Sequence, residues 1–219
     1  MIDSVIPIWK PVDWTSFDVV KKIRGQIKPA KVGHAGSLDP FAEGVLMLCT
    51  GKLTKSIESI VNLEKEYSAE ISLGVETDTL DLTGMIIKKK DVPFLDKKTI
   101  QAKLTNYIGD TMQEPPMFSA LKINGQPLYK LARKGIMVRR KERIVKIYNI
   151  QLKDFTPYSI IIRVRCGRGT YIRALARDIA LSLGTVGHLK SLKRTRIGNV
   201  SKDDCITIEE FPKWLSAKT

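Results

Sequence analysis

The residues best suited to chemistry lie in one glycine-rich loop, GHAGSLDPFAEGVL at residues 33–46. Pro40 biases the preceding Asp39 towards an extended or turn conformation, while the glycines permit backbone geometry and close ligand approach that a Cβ would prevent. A carboxylate presented by such a loop can act as a general base or as a nucleophile. The alternative interpretation is that Asp39 only caps a turn.

Two further side chains, Tyr67 and Arg173, lie in segments with clear periodicity. Residues 65–73 alternate between apolar and polar, which predicts a half-buried strand with Tyr67 on its inner side. A lone tyrosine in such a strand is usually a core residue whose hydroxyl finds a partner, and that is compatible with a function. Residues 172–183 have helical periodicity, and there a solvated charge is as good an interpretation of Arg173 as a functional one.

Six segments resemble motifs of the TruB family of pseudouridine synthases, in the family's order and at comparable spacing. The resemblance covers the chain from about residue 6 to residue 200, and ordered agreement of several blocks is far more specific than one short pattern. Two positions depart from the family pattern: Asp13 stands where KPxGxTS usually has glycine, and Ala35 replaces a common threonine. The segments are KPVDWTS at 10–16, GHAGSLDPFAEGVL at 33–46, Glu66-Tyr67, TDTLDLTG at 77–84, PPMFSALKINGQPLY at 115–129 and GTYIRALARDIA at 169–180.

The resemblance implies isomerisation of uridine to pseudouridine, at uridine-55 in the TΨC loop of tRNA. This reaction breaks the N1–C1′ bond, turns the base and rejoins it through C5 without redox change, so no cofactor is expected. Similarity gives the first step to Asp39, which either attacks the uridine covalently or abstracts a sugar proton. Both routes remain open at this point. The target base must leave its stack, at a cost of about a few kcal/mol that is smallest in a loop.

Two more residues receive catalytic roles from the resemblance. Tyr67 stacks on the target base and assists removal of the C5 proton. Arg173 pairs with Asp39 and keeps it ionised, because a guanidinium offsets the rise in pKa that a water-poor pocket causes. Leu192 matches the apolar residue on the other side of the uracil, and His34 matches a residue that contacts RNA near the extruded nucleotide.

The remaining binding residues are less specific. Tyr171 lies in the same segment as Arg173 and is assigned to substrate binding. Lys10, from the KPVDWTS segment, is expected to contact phosphate, although a single basic residue is more often a solvated charge. The same expectation applies to a basic group near the C-terminal end, which consists of Lys190, Lys193, Arg194 and Arg196.

The elements that must position these residues form an α+β pattern in which helices interrupt a mainly antiparallel sheet. The resemblance implies the pseudouridine synthase fold, a mixed central sheet with flanking helices around a catalytic, RNA-binding cleft. A capping box of Thr15 and Asp18 predicts a helix to about residue 27, with Phe17, Val20, Ile23 and Ile27 on its inner face. Further helices are expected near 57–61, over 100–108, after Pro127 and over 172–183, strands over 65–73, 144–150 and 159–165, and a hairpin at Asn124-Gly125.

Composition favours a polyanionic partner, because 37 Lys and Arg against 23 Asp and Glu give a net charge of +14. A membrane is disfavoured: the basic residues are spread out, and no apolar run approaches the ~20 residues of a membrane helix. The N-terminal Met1-Ile2-Asp3-Ser4 has no basic region before an apolar core, so a cytoplasmic location is expected. Three scattered cysteines and two histidines predict neither disulfides nor a metal centre: Cys49, Cys166 and Cys205, His34 and His188.

The simplest domain organisation is one catalytic domain over 1–219 without a complete C-terminal PUA domain. That organisation argues against the guide-RNA-dependent branch of the family, and a monomer is expected. The alternative function is a non-catalytic RNA-binding or tRNA-folding protein with a vestigial site. A glycosidase or nucleosidase is disfavoured, because water activation normally needs a second dedicated acid or base that no local motif supplies.

Overall fold

The computed structural model describes residues 3–27 and 31–218. Outside the described residues lie Met1 and Ile2, residues 28–30 and Thr219. The first two belong to the N-terminal segment Met1-Ile2-Asp3-Ser4, and Thr219 ends the predicted domain. The elements confirm the α+β class. In chain order they are β1 (Val5–Lys10), α1 (Ser16–Gln26), β2 (Val32–His34), β3 (Glu43–Thr50), α2 (Ile57–Asn62), β4 (Lys65–Leu73), β5 (Val75–Thr77), β6 (Ile86–Lys89), α3 (Lys97–Thr105), β7 (Gly109–Gln113), β8 (Lys122–Ile123), β9 (Gln126–Pro127), α4 (Leu128–Ala132), β10 (Arg143–Thr156), β11 (Ser159–Cys166), α5 (Ile172–Ser182), β12 (Gly187–Ile197), β13 (Val200–Ser201) and α6 (Phe211–Ser216).

The chain forms two compact units. The first contains the residues up to Ser68 and those from Leu192 onward, and the second contains Ala69–Ser191. In the first unit β3 is the central strand: β1 and β2 pair with it antiparallel and β12 pairs with it parallel. Strands β4 and β12 each begin in one unit and end in the other. The expectation of a single domain therefore stays a prediction.

Strand β3 is buried on both faces, which explains the apolar run after the glycine-rich loop. Leu46 and Leu48 pack on one side against α1 and α6 in a core that includes Ile23 and Phe211. Val45 and Met47 pack on the opposite side. A strand covered on both faces has no polar face, so a continuous apolar sequence is the expected pattern.

Helix α1 begins as predicted, and Val20 and Ile23 of its predicted inner face are buried. Thr15 and Asp18 form the capping box. The prediction that Phe17 lies on the inner face is wrong, since its side chain is 67 % exposed, whereas Val19 is fully buried. The buried positions Ser16, Val19, Val20 and Ile23 follow the helical spacing of three and four residues from Ser16, not from Phe17.

The second unit has an antiparallel sheet in which β10 is paired with β7 on one side and β11 on the other. Both long strands contain the β-branched runs predicted to be strands, and α3 and α5 are the predicted helices, although α3 ends at Thr105 and leaves Ile108 exposed. The hairpin predicted at Asn124-Gly125 joins β8 to β9. Among the helices of the described residues, none is long and apolar enough to cross a membrane.

Candidate active-site residues

Asp39 lies in a tight turn between β2 and β3. The amide of Ala42 donates to the main-chain carbonyl of Asp39 at 3.1 Å, with Pro40 inside the turn. The predicted turn is therefore present, and it is closed by main-chain groups. Asp39 itself is half-buried, so the loop presents its carboxylate at the boundary between core and solvent.

The main chain is anchored on both sides of Asp39 by Ser16, the first residue of α1, and by the segment before it. Ser16 Oγ accepts from the Leu38 amide at 2.9 Å and donates to the Leu38 carbonyl at 3.3 Å. On the other side, the Asp13 amide donates to the Pro40 carbonyl at 2.8 Å. Asp13 has φ 64°, a left-handed conformation that aspartate tolerates better than most residues. An aspartate can thus occupy this backbone where the family usually has glycine.

Lys10 is fully buried, and its ammonium group holds the same loop together. Nζ donates to the carbonyls of Pro11 at 2.7 Å, Trp14 at 2.6 Å and Pro40 at 3.2 Å. Burial lowers the pKa of this lysine to about 8, and the nearby Asp39 charge partly opposes that change. The predicted contact of Lys10 with phosphate is not supported by this geometry, because the three hydrogens of the ammonium already have protein acceptors.

Arg194 makes a second buried anchor, from β12. Its guanidinium donates to the carbonyls of Val45 at 2.7 Å, Ser37 at 3.2 Å and Gly36 at 3.2 Å. The backbone of Arg194 packs against Gly44, where a Cβ would lie 2.3 Å from the Arg194 carbonyl oxygen. Only glycine fits there, because Gly44 also has φ 130°. Arg194 therefore holds the loop and does not serve as the phosphate ligand predicted from the sequence.

His34 ends β2 at the start of this loop and is half-buried. Burial, together with the positive charge of Arg194, lowers its pKa below the usual value. Its Nδ1 is buried and has no hydrogen-bond partner among the described residues. The imidazole is therefore neutral near pH 7, and the predicted role of His34 in binding RNA stays a prediction.

Tyr67 and Leu192 come from two neighbouring strands, β4 and β12. Tyr67 is on the buried face, 8 % exposed, as the alternation predicted, and Leu192 is buried as well. Thr195 on β12 donates to the carbonyl of Glu66 at 3.2 Å and to its Oε1 at 2.9 Å, which joins the two strands beside Tyr67. An aromatic ring and an apolar side chain are thereby fixed on adjacent strands.

Arg173 lies in the second unit, near the start of α5, and is almost fully buried. Its guanidinium donates to the carbonyls of Thr79 and Phe118, both at 2.9 Å, and lies 3.4 Å from Asp81 Oδ2. The alternative that Arg173 is a solvated helix charge is wrong. Asp39 and Arg173 belong to different units, and their predicted pairing stays a prediction.

Asp81 is a further functional candidate, beyond those predicted from the sequence. It is buried, and its Oδ1 accepts from Thr79 Oγ1 at 2.8 Å, from Thr83 N at 2.9 Å and from Thr83 Oγ1 at 2.6 Å. Its second oxygen is the one that faces Arg173. Asp81 lies in the TDTLDLTG segment, but its contact with Arg173 joins residues more than ninety positions apart and has no local sequence pattern.

Tyr171, the residue before α5, lies below a guanidinium: the centre of its ring is 4.8 Å from Arg143 Cζ.

The other predicted phosphate ligands have carboxylate partners on the protein. Lys190 pairs with Glu70, Lys193 with Glu43 and Arg196 with Glu64, at 2.7–2.8 Å. Within the described residues, no group of three His, Cys, Asp or Glu side chains could hold a metal ion.

Two protein-family models match the chain. The model of the TruB family pseudouridylate synthase N-terminal domain matches residues 22–172, and the model of the tRNA pseudouridylate synthase B C-terminal domain matches residues 173–219. The boundary falls between Ile172 and Arg173, inside α5. Together the two matches include all the predicted site residues except Lys10.

Curated relatives are similar over nearly the whole chain. A tRNA pseudouridine synthase B of Phocaeicola vulgatus is 46% identical over 212 residues, which are 94% of this chain and 90% of the relative. The protein of the same name from Clostridium kluyveri is 43% identical over 208 residues, 95% of this chain and 72% of the relative. Both alignments extend well beyond the motifs.

Solved structures share the fold. A Cbf5-Nop10-Gar1 complex contains a chain that is 28% identical, with a TM-score of 0.74 over 98% of this chain. A chain in an H/ACA RNP bound to a substrate RNA containing 2′-deoxyuridine is 26% identical, with a TM-score of 0.71. The present chain spans 56% and 55% of these two chains, respectively. Their similarity confirms the predicted pseudouridine synthase fold.

Proposed function

The chain belongs to the TruB family of pseudouridine synthases, and we propose that it isomerises uridine-55 in the TΨC loop of tRNA with Asp39 as the reacting carboxylate. Conversion of uridine to pseudouridine in tRNA is the activity that the family membership and the curated relatives support. The position in the tRNA and the roles of individual residues form the proposal.

The observation that carries the proposal is the anchoring of the main chain on both sides of Asp39. Ser16 fixes Leu38, while Asp13 and Lys10 fix Pro40. A nucleophile or base must be held close to the productive geometry, since a displacement of about 1 Å can cost about 100-fold in rate. The buried hydrogen bonds provide that constraint. The carboxylate then either attacks the uridine covalently or abstracts a proton from the sugar.

The remaining roles follow from side-chain chemistry. Tyr67 and Leu192 hold the detached uracil between a ring and an apolar side chain, and the tyrosine hydroxyl assists removal of the C5 proton. His34, which is only half-buried, contacts the RNA near the extruded nucleotide. Arg173 is the third catalytic residue, and its guanidinium is held in place by two main-chain carbonyls. Asp81 orients Arg173, because a carboxylate already held by two threonines gives the guanidinium a fixed partner.

The whole tRNA is bound mainly through charge. A net charge of +14 suits a phosphate backbone, and a loop nucleotide is the least costly to extrude. The proposal includes the TΨC arm as the region contacted, action as a monomer, and a cytoplasmic location, where tRNA is available.

Chemical mapping of pseudouridine in an unmodified tRNA tests this function. Incubation with the wild-type protein should produce one pseudouridine, at position 55, and incubation with Asp39→Asn should produce none. Modification at another uridine would replace the proposed position. Tight tRNA binding without any pseudouridine would favour the alternative, a protein that binds or folds tRNA with a vestigial site.

A further inference from the structure

Gln113, the last residue of β7, makes a two-point contact with the main chain of Tyr171. Its side-chain Oε1 accepts from the Tyr171 amide at 2.8 Å, and its Nε2 donates to the Tyr171 carbonyl at 3.1 Å. The residue is 1 % exposed. The carboxamide thus pairs with both main-chain groups of one residue, as a neighbouring β-strand would.

This contact lies where α5 begins. Tyr171 is the N-terminal cap of that helix, and its own side chain makes no capping hydrogen bond. Its carbonyl also accepts the first intrahelical bond, from the Leu175 amide at 3.0 Å. Six residues after Tyr171, in the second turn of α5, Arg177 donates to the carbonyl of Glu114 at 3.3 Å. The first two turns of α5 are therefore attached at two points, to Gln113 and to the residue that follows β7.

Arg143, the cross-strand neighbour of Gln113, contacts residues 169–171 as well. Its guanidinium covers the ring of Tyr171 at 4.8 Å and donates a short hydrogen bond to the carbonyl of Gly169. A cation over an aromatic face and a charge-assisted hydrogen bond are both favourable. The side chains of a β7–β10 pair thereby hold the main chain and the ring that precede α5.

We propose that Gln113 is a positioning residue for catalysis: through the main chain of Tyr171 it fixes the start of α5, and so the placement of the Tyr171 ring and of Arg173. Gln113 is not assigned any contact with substrate. The inference rests on the proposed function, because the placement of Arg173 matters only if Arg173 takes part in the reaction.

The residue type is specific for this role. Glutamate at this position lacks the donor while it is ionised, and it brings a negative charge against the Tyr171 carbonyl. Methionine has a similar volume but makes neither hydrogen bond, so the buried amide of Tyr171 loses its acceptor. A carboxylic acid, by contrast, has one donor and one acceptor, as the carboxamide has.

The test is the rate constant of a single turnover, measured with saturating enzyme as tritium release from C5-labelled uridine in tRNA. Because enzyme is in excess, a small misfolded fraction does not change this rate constant. Gln113→Met should lower it by about 10- to 100-fold, while the dissociation constant for tRNA changes by less than about threefold. The matched control is Gln151→Met, on an exposed position of β10 in the same unit, which should retain the wild-type rate constant.

Gln113→Glu adds a readout that a merely structural role would not give. Burial raises the pKa of a carboxyl group, so protonation at about pH 6 restores the donor that is absent at about pH 8.5. The rate constant relative to wild type should rise as the pH falls, in protein whose circular dichroism spectrum is unchanged over that range. The pH dependence of Gln113→Glu also tests the role of Gln113 if Gln113→Met does not fold.

The inference is overturned if Gln113→Met retains the rate constant within about twofold, or if the ratio of Gln113→Glu to wild type does not change with pH. In either case the wild-type protein still makes pseudouridine, and the proposed function stands. A wild-type protein that makes no pseudouridine removes the proposed function, and this inference with it.

Discussion

Individual buried polar side chains hold the loop that carries Asp39. Lys10, Ser16 and Arg194 direct their donors to main-chain carbonyls of that loop or of the segment before α1. Burying an unpaired ammonium or guanidinium is costly, but hydrogen bonds that involve a charged group contribute about 1.5–3 kcal/mol each. Lys10 and Arg194 therefore act locally as structural groups, although the sequence suggested both of them as phosphate ligands.

Lys10 gives a prediction about pH and activity. Its pKa is lowered to about 8, so at higher pH a neutral amine with two hydrogens faces three carbonyl acceptors. The loop loses a hydrogen bond, and kcat/KM should fall as the pH rises through about 8. Lys10→Met lacks the ammonium at every pH, so it should be less active throughout and should not show this decline. The same alkaline decline in both proteins would assign it to another group.

The same group affects stability in the opposite direction. An unfolded lysine keeps its proton up to the ordinary value of 10.5, whereas the folded one loses it near 8. Between these values the unfolded chain binds more protons, so the contribution of Lys10 to the free energy of unfolding rises with pH. The free energy of unfolding of wild type minus that of Lys10→Met, measured by urea denaturation, should therefore increase from about pH 8 to about pH 10. A constant difference would contradict the lowered pKa.

At the scale of elements, the loop depends on close packing of β3 against β12. Gly44 meets the backbone of Arg194 and has φ 130°. Gly44→Ala should lower the free energy of unfolding by about 1–3 kcal/mol, the usual cost of a strained backbone, before any effect of the clash. Gly25→Ala is the matched control, because among the described residues outside the helix backbone no atom lies within 4 Å of its added Cβ. It should raise the free energy of unfolding by about 0.4–1 kcal/mol. Thermal denaturation of both variants measures these changes. A free energy of unfolding equal to that of wild type in Gly44→Ala would show that β3 and β12 can move apart without cost.

The elements were largely predictable, and the exceptions have physical reasons. Alternation placed Tyr67 on the inner face of β4, and the structure confirms it. The prediction for Phe17 is wrong because helical spacing alone allows more than one set of buried positions. The packing of α1 on β1 and β3 selects the set that contains Ser16 and Val19. The contacts of Arg173 with Asp81 and of Gln113 with Tyr171 join residues far apart in the chain, so no local pattern contains them.

At the scale of the whole molecule, the positive charge should dominate affinity for tRNA. A protein of net charge +14 that contacts several phosphates releases counterions on binding. With about 6–10 such contacts, affinity should fall by about 10³- to 10⁵-fold between about 50 and 200 mM salt. The dissociation constant for unmodified tRNA, measured across this range, tests the expectation. The melting temperature of the protein over the same salt range is the control for unfolding. An affinity independent of salt would show that few phosphates are contacted.

The central claim is that Asp39 carries out the reaction, and a paired measurement on Asp39→Asn tests it most directly. Single-turnover pseudouridine formation and tRNA affinity are measured on the same preparations of variant and wild type. The amide is nearly isosteric but is neither a base nor a nucleophile, so turnover should fall by several orders of magnitude while affinity stays within about tenfold. Substantial pseudouridine formation by Asp39→Asn would contradict the assignment of Asp39 as the catalytic residue.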